Sequence, residues 1–302
     1  MMITHEHLRL VIEDIYSNNN EITEDLLTRL INEFRYSNLY IPAKRENNTL
    51  NFIIYDDEYG KITPLFTDLD EFRKFFRDED IEVLNNSFEL YQNILKTSKI
   101  EGYILNPASE KYLFKKEFIL SIKNIPKTSF YSNNPYTPQE LKEIVKNIDN
   151  KELESFIEDP LNIGEYEMLF EKLSNSHILT LMLADYDLTE YMKDGIIDQK
   201  ETGPLASMHT DRVGGKYATI FSSADKMASV NTSKFKYSQL VNLATLVNFV
   251  LTEDMDGIIL NPESDNVLIS RQMLLRYSLG FEKFANDPGL CESIYYLFDI
   301  NL

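Results

Sequence analysis

Few residues in this chain sit at spacings that chemistry uses. His5-Glu6-His7 puts two imidazoles two residues apart. On a helix they point to different faces, and no further ligand clusters nearby, so no zinc site is expected. Asp254-Met255-Asp256-Gly257 hints at a calcium loop but lacks its Asx spacing and closing Glu. Gly214-Gly215-Lys216 lacks the spacer and the following Ser/Thr of a phosphate loop, and reads as a turn. His177 falls at a strand start and His209 in a loop, neither within a Ser or Cys constellation. The single cysteine, Cys291, lies just before Ile294, Tyr295, Leu297 and Phe298 and reads as a small core residue. With one thiol no intramolecular disulfide can form, which fits a reducing compartment. The expectation is a chain with no catalytic residues, no metal and no cofactor: not an enzyme.

One polar motif does recur. Gly102-Tyr103-Ile104-Leu105-Asn106-Pro107-Ala108-Ser109 returns as Gly257-Ile258-Ile259-Leu260-Asn261-Pro262-Glu263-Ser264, a shift of 155 residues (102 to 257). The same shift carries Gly60-Lys61 onto Gly215-Lys216, Phe66-Thr67 onto Phe221-Ser222, Asp70 onto Asp225, Leu113 onto Leu268 and Leu120 onto Leu275. A constant offset over about sixty positions predicts two copies of one domain. The repeated Asn-Pro has two readings. As structure it opens a turn, since Pro pre-sets φ and Asn bonds its own backbone. As function, Asn106 and Asn261 could touch a ligand at a sheet end. The turn reading is favoured because nearby charges diverge while the turn persists.

The elements around these residues follow from apolar periodicity. Residues 4–16 read as a helix with Leu8, Val11, Ile12 and Ile15 on one face, and Thr23 caps a second with Leu26, Leu27, Leu30, Ile31 and Phe34 inside. Leu39-Tyr40-Ile41 is a strand that Pro42 ends or marks as an edge. Strand 50–55 turns at Asp56-Asp57-Glu58-Tyr59-Gly60 into 62–66, a hairpin whose second-copy turn is Arg212-Val213-Gly214-Gly215. Thr67 or Asp68, and Ser222 or Ser223, cap the next helices. Helices follow at 87–98 and 239–252; Gly102 and Gly257 end them and open buried strands. Three prolines between 124 and 138 mark a linker. After strand His177–Leu183 the second copy carries roughly fifteen extra residues, about Asp185 to Thr202, an insertion of the surface-loop kind.

The chain has 302 residues, about two domains at ~150 residues each. The boundaries expected are 1–125 for a first domain with leading helices, 126–150 for a linker and helix, and 151–302 for the second domain. The net charge of −19 opposes binding to nucleic acid or anionic lipid and permits a basic protein partner. No stretch approaches a membrane span, and the N-terminus has no signal-peptide pattern, so a soluble cytoplasmic protein is expected.

The chain resembles the SseB protein N-terminal domain family (enhanced serine sensitivity). The likeness rests on Ile41-Pro42, on Leu65-Phe66-Thr67-Asp68-Leu69-Asp70-Glu71-Phe72, and on Leu105-Asn106-Pro107. The second copy keeps Ile220-Phe221-Ser222 and Leu260-Asn261-Pro262 but lacks the Ile-Pro strand end. The resemblance covers residues 36–122 and, more weakly, 176–277. It implies small α+β domains in a bacterial cytoplasmic protein with a binding or accessory role and no catalytic residues. The fold expected is therefore α+β, two tandem repeats of a small mixed or antiparallel sheet with packed helices. The function expected is non-enzymatic protein binding. An immunity protein neutralising a secreted toxin is one alternative; a sensor or enzyme using an inter-domain cleft is another. Folding explains what the copies share, so a partner is expected where they differ: the hairpin tip Asp56, Asp57 and Glu58, or the insertion with Asp185, Tyr186, Asp187, Glu190, Tyr191 and Asp194.

Overall fold

The computed structural model describes residues 5–46, 49–77, 81–122, 140, 143–144, 146–159, 161, 165–184, 187, 190, 192–193, 196–197, 206–207, 209–212, 215–231, 235–279 and 297–299. The fold is α+β and forms two compact units: Met1–Ile125 with Thr252–Asp254, and Pro126–Leu251 with Met255–Leu302.

The first unit opens with α1 (Glu6–Ser17) and α2 (Glu24–Tyr36), the latter capped by Thr23, whose side chain accepts from the Leu26 N–H. Strands β1 (Leu39–Glu46), β2 (Thr49–Phe52), β3 (Tyr55–Asp57) and β4 (Gly60–Leu65) follow. Asp68 caps α3 (Leu69–Phe75) by accepting from the Glu71 N–H at 2.8 Å. Then come β5 (Ile81–Asn86), α4 (Phe88–Thr97), β6 (Gly102–Leu105), β7 (Tyr112–Lys115) and α5 (Lys116–Ser121). Alternation sorts the apolar side chains onto two faces. Leu39, Ile41, Leu65, Tyr103, Leu105 and Phe114 join Leu8, Ile12, Phe34, Tyr91 and Ile119 from the helices in one core. Phe66 points the other way, onto α3, with its ring 5.5 Å from Phe72 and 6.0 Å from Phe75.

The second unit repeats this plan. It contains α6 (Lys151–Ile157), α7 (Tyr166–Ser174), β8 (Ile178–Ala184), β9 (Met192–Lys193), β10 (Ile196–Ile197), β11 (Ala206–Ser207), β12 (His209–Arg212), β13 (Gly215–Phe221), α8 (Ala224–Ala228), β14 (Phe235–Val241), α9 (Leu243–Thr252), β15 (Gly257–Leu260), β16 (Val267–Ser270), α10 (Arg271–Leu279) and β17 (Leu297–Asp299). Registers match pair for pair. Parallel Ile62↔Gly102 is matched by Tyr217↔Gly257, and antiparallel Gly102↔Lys115 by Gly257↔Ser270. Leu39↔Asn86 is matched by Ile178↔Val241. Both units thus carry one strand order, β5-β1-β4-β6-β7 and β14-β8-β13-β15-β16, with Phe66 and Phe221 both fully buried. The leading helices repeat too: buried Leu8 and Ile12 are matched by Leu153 and Ile157, and Leu30 by Leu169.

The registers also locate the insertion. Leu39 and Ile178 differ by 139, whereas Phe52 and Ser207, which pair Ala43 and Met182, differ by 155. Sixteen extra residues therefore enter between Leu183 and Ala206, inside the β8–β11 hairpin. Part of them forms the small hairpin β9–β10, joined through β17 to the β14 edge.

The structure corrects several sequence expectations. Pro42 neither ends β1 nor lies at a sheet edge. It sits inside β1, where that strand leaves β4 and takes up β2. Tyr40 and Phe66 exchange both backbone hydrogen bonds, at 2.8 and 2.9 Å, so the next N–H position on that side of β1 is Pro42. On β4 the facing gap is filled by Pro64, between Ile62, which pairs β3, and Phe66. Extending the Tyr40–Phe66 register sets two residues without N–H donors opposite each other, and there the first unit's sheet divides into three- and four-stranded parts, with the Pro42 carbonyl taken by the Ile53 N–H. The second unit has Leu181 and Thr219 at these places, and its matching ladder is one pair longer, Phe221↔Leu179 and Ile220↔Thr180, before β8 takes up β11 and β13 takes up β12. Asp56 and Asp57 lie in β3, not in the turn, and β5 and β14 are strands where sequence reading saw none or the start of a helix. Gly102 and Gly257 are strand residues demanded by close approach: an added Cβ would meet the Phe114 carbonyl oxygen at 2.5 Å or that of Ile269 at 2.2 Å. Gly60 has φ 98°, as its tight turn requires, but Gly215 is not left-handed. Cys291, residues 123–139 of the proposed linker, and Asp185, Tyr186, Tyr191 and Asp194 lie outside the described residues.

Candidate functional site

The repeated asparagine is consumed by the fold. Asn106 is fully buried at φ 41°, a left-handed conformation that Asn tolerates better than most residues. Its Oδ1 accepts the Thr67 N–H at 3.0 Å, while Nδ2 donates to Thr67 Oγ1 at 3.0 Å and Glu110 Oε2 at 2.8 Å. Its backbone carbonyl closes the turn by accepting from Ser109 and Lys111. Asn261 repeats each bond: Ser222 N–H at 3.0 Å, Ser222 Oγ at 3.0 Å, Asp265 Oδ2 at 2.7 Å, and the amides of Ser264 and Asn266. The side chain ties the end of β4 or β13 to the turn after β6 or β15, and its polar atoms are occupied. Pro107 is half-buried and Pro262 buried within these turns.

The ions around the latch are exchanged between the units. In the first, α1 supplies the cation: Arg9 Nε donates to Glu110 at 2.7 Å, and α3 supplies the acid Glu71, bonded by Lys74 and Ser109. In the second, the residue matching Arg9 is Glu154, whose carboxylate accepts from Ser222 Oγ at 2.6 Å. The residue matching Glu71 is Lys226, which bonds Asp265 at 3.0 Å. Burial works to raise the Glu71 carboxyl, but hydrogen bonds from Lys74 and Ser109 and the charges of Lys74 and Arg9 outweigh it, leaving the pKa below its ordinary value. Asp265 is lowered in the same way, burial being overcome by Lys226, Asn261 and Ser264. What persists through the reversal is the cation on the turn acid, Arg9 on Glu110 and Lys226 on Asp265, which marks a structural ion cluster.

His5 is buried in the same framework, its Nε2–H donating to the Asn38 carbonyl at 2.9 Å. Asn150 takes its place in the second unit, donating to the carbonyls of His177 and Ser222, both at 2.7 Å. His177 is exposed and His209 lies in β12. Among the described residues no group of three or more His, Cys, Asp or Glu is placed to hold a metal ion. An open polar groove of about 580 Å³ runs between α6 and α7, flanked by the ion pairs Lys151–Asp149 and Lys172–Glu152.

The divergent residues are arranged differently. Asp56 and Glu58 are exposed, and Asp56 pairs with Lys61 at 2.9 Å. The register gives Asp56 and Lys61 the counterparts Asp211 and Lys216, which corrects the expectation that the acidic tip has no equivalent. The true differences are Asp57 to Arg212, Glu58 to Val213 and Tyr59 to Gly214. In the insertion, Glu190 is exposed, and exposed Asp187 accepts from the Tyr237 hydroxyl at 3.4 Å, so Asp187 is tied to β14. Sequence reasoning missed the aromatic residues beside the acidic tip. Tyr55 packs against Phe75 at 6.0 Å and Phe76 at 6.5 Å, leaving Tyr55, Tyr59 and Phe75 exposed. Their signal was their replacement by Thr210, Gly214 and Val230 in the second copy.

No helix among the described residues is long and apolar enough to cross a membrane. No protein-family model, curated protein or solved structure matches the chain.

Proposed function

We propose that this chain is a non-enzymatic protein-binding protein, an SseB-like tandem accessory protein of the bacterial cytoplasm whose partner is a basic protein. The observation that carries this reading is the split between shared and divergent residues. Asn106 and Asn261, the polar side chains most like a site, spend their hydrogen bonds on identical structural ties. What differs between the copies is exposed where it is described: Glu58 and Tyr59 at the hairpin tip, and Asp187 and Glu190 in the insertion. Surfaces that folding does not require are where recognition is placed. An immunity role is the finer form of the same reading, with a secreted toxin as the basic partner.

The test is crosslinking and affinity capture from the native host, with candidates confirmed as purified proteins. Deleting Tyr186–Ile197 should leave the melting temperature nearly unchanged and weaken capture, as should a separate Asp56/Asp57/Glu58→Ser variant. Capture indifferent to both changes, or turnover of a small molecule by the purified chain, overturns the reading.

A further inference from the structure

We infer that the α3 face of the first unit is a docking surface for an amphipathic basic helix of a partner protein. The inference rests on the protein-binding reading and assigns it a place and a chemistry. Tyr55 and Phe75, exposed by 38 % and 37 %, meet there at 6.0 Å, and the β3–β4 turn that follows Tyr55 adds Tyr59, exposed by 53 %. The platform is preorganised, because Tyr55 and Phe75 rest on Phe76 and on the buried ring of Phe66. Rigid aromatic area with little rotamer entropy to lose is typical of an interface centre.

The second unit shows what such a face accepts. Its corresponding core holds Phe221, Met227 and Val230, the matches of Phe66, Phe72 and Phe75. Ile144 and Ile148, spaced four residues apart, lie against this core. Val230 is buried there, where its counterpart Phe75 is exposed. The first unit therefore offers, enlarged with aromatics, a face that its sister covers with helical Ile144 and with Ile148 just past that helix's end. Charge chooses the kind of helix. Residues 54–61 carry three acids and one lysine, whereas residues 209–216 carry one acid, one arginine and one lysine. Of the nearby cations, Lys61, Arg73 and Lys74 face Asp56, Asp70 and Glu71, while Arg77 is exposed just past the end of α3. An apolar platform with an acidic rim fits a helix with apolar residues on one side and lysines on the other.

The test uses the full chain and a labelled peptide of about 16 residues, long enough to gain helix on docking, with isoleucines at i and i+4 and lysines opposite. A glutamate version is the control. Binding should appear with the lysine peptide only and weaken with salt. Hydrogen exchange should slow at residues 54–60 and 72–77. The double variant Tyr59→Gly, Phe75→Val, which installs the sister residues, should weaken binding about tenfold or more with an unchanged melting temperature. No binding, binding indifferent to the double variant, or protection elsewhere overturns the proposal. So does a wild-type dimer in sedimentation that the double variant dissolves, which would make the face a self-interface. A host partner still captured by the double variant but lost on deleting Tyr186–Ile197 removes this surface while leaving the protein-binding reading intact.

Discussion

The two halves of this chain carry one fold under different constraints, and their differences separate what folding demands from what it permits. Where the units need the same geometry they keep the same residue, as with Asn106 and Asn261 or Gly102 and Gly257. Where they need only the same sum, the parts are free to trade places. The charges of Arg9 and Glu71 return reversed as Glu154 and Lys226, while the turn acid stays paired, Glu110 with Arg9 and Asp265 with Lys226. Where neither applies, residues diverge, as Tyr55, Tyr59 and Phe75 do.

The sharpest way to break this comparison is through its largest shared contact. Phe66→Ala and Phe221→Ala should each cost about 3–5 kcal/mol, read by urea unfolding with exchange at β4 and β13 as the local probe. A large cost at one site alone would mean that the faces are not equivalent. Next come the latches. Asn106→Ala and Asn261→Ala should each cost about 2–3 kcal/mol, because buried donors and acceptors lose their partners. Asn106→Gly should recover part of that cost by relieving the left-handed backbone, and the Gly–Ala difference isolates the conformational share.

The charge exchange predicts a smaller, coupled effect. Arg9→Glu and Glu71→Lys should each destabilise the first unit, and the two combined with Lys74→Ser, which imitates the second unit, should recover about 1–2 kcal/mol as coupling energy. Additive losses would sever the correspondence between the clusters. The smallest effect is in pH. Glu71 and Asp265 titrate below their ordinary values when folded, so each adds stability above its unfolded pKa of about 4 and loses it as pH falls through the folded value. The urea midpoint should stay flat near neutrality and drop below about pH 4. Glu71→Gln should shrink that drop, and an unchanged drop would remove Glu71 as its source.

Sequence carried the middle of each unit and little of its flanks, for a physical reason. The stretch from Gly60 to Leu120 keeps one offset because its turns and strands tolerate no length change. The leading helices match at other offsets, 145 for Leu8 and Leu153 and 139 for Leu30 and Leu169, so a fixed-shift comparison does not see them. Strand β5, Ile-Glu-Val-Leu-Asn-Asn, is short and runs into the next helix with only Ser87 between. Val241 at the end of β14 reads as the first turn of α9 because nothing but Asn242 separates them. The Asn-Pro turn was legible as a turn because its chemistry is local. Its ties to Thr67 and Glu110 were not, since β4, 39 residues away, supplies one of them. The exposed aromatics looked like core residues by type, and only solvent exposure set them apart.

The facing prolines 42 and 64 have a mechanical meaning. A sheet carries load sideways through its rungs, and two adjacent strands of the first unit lack them along one line. That line is a perforation: bending or tension concentrates on the Tyr40–Phe66 bridge, and the sheet parts there into two rafts, β5-β1-β2 and β3-β4-β6-β7. The second unit, with Leu181 and Thr219 in those places, holds the matching seam with one pair more, Phe221↔Leu179 and Ile220↔Thr180. Under a pulling force the first unit should therefore part at this bridge before its longer ladders do, and at a lower force than its sister parts at the matching two-pair seam.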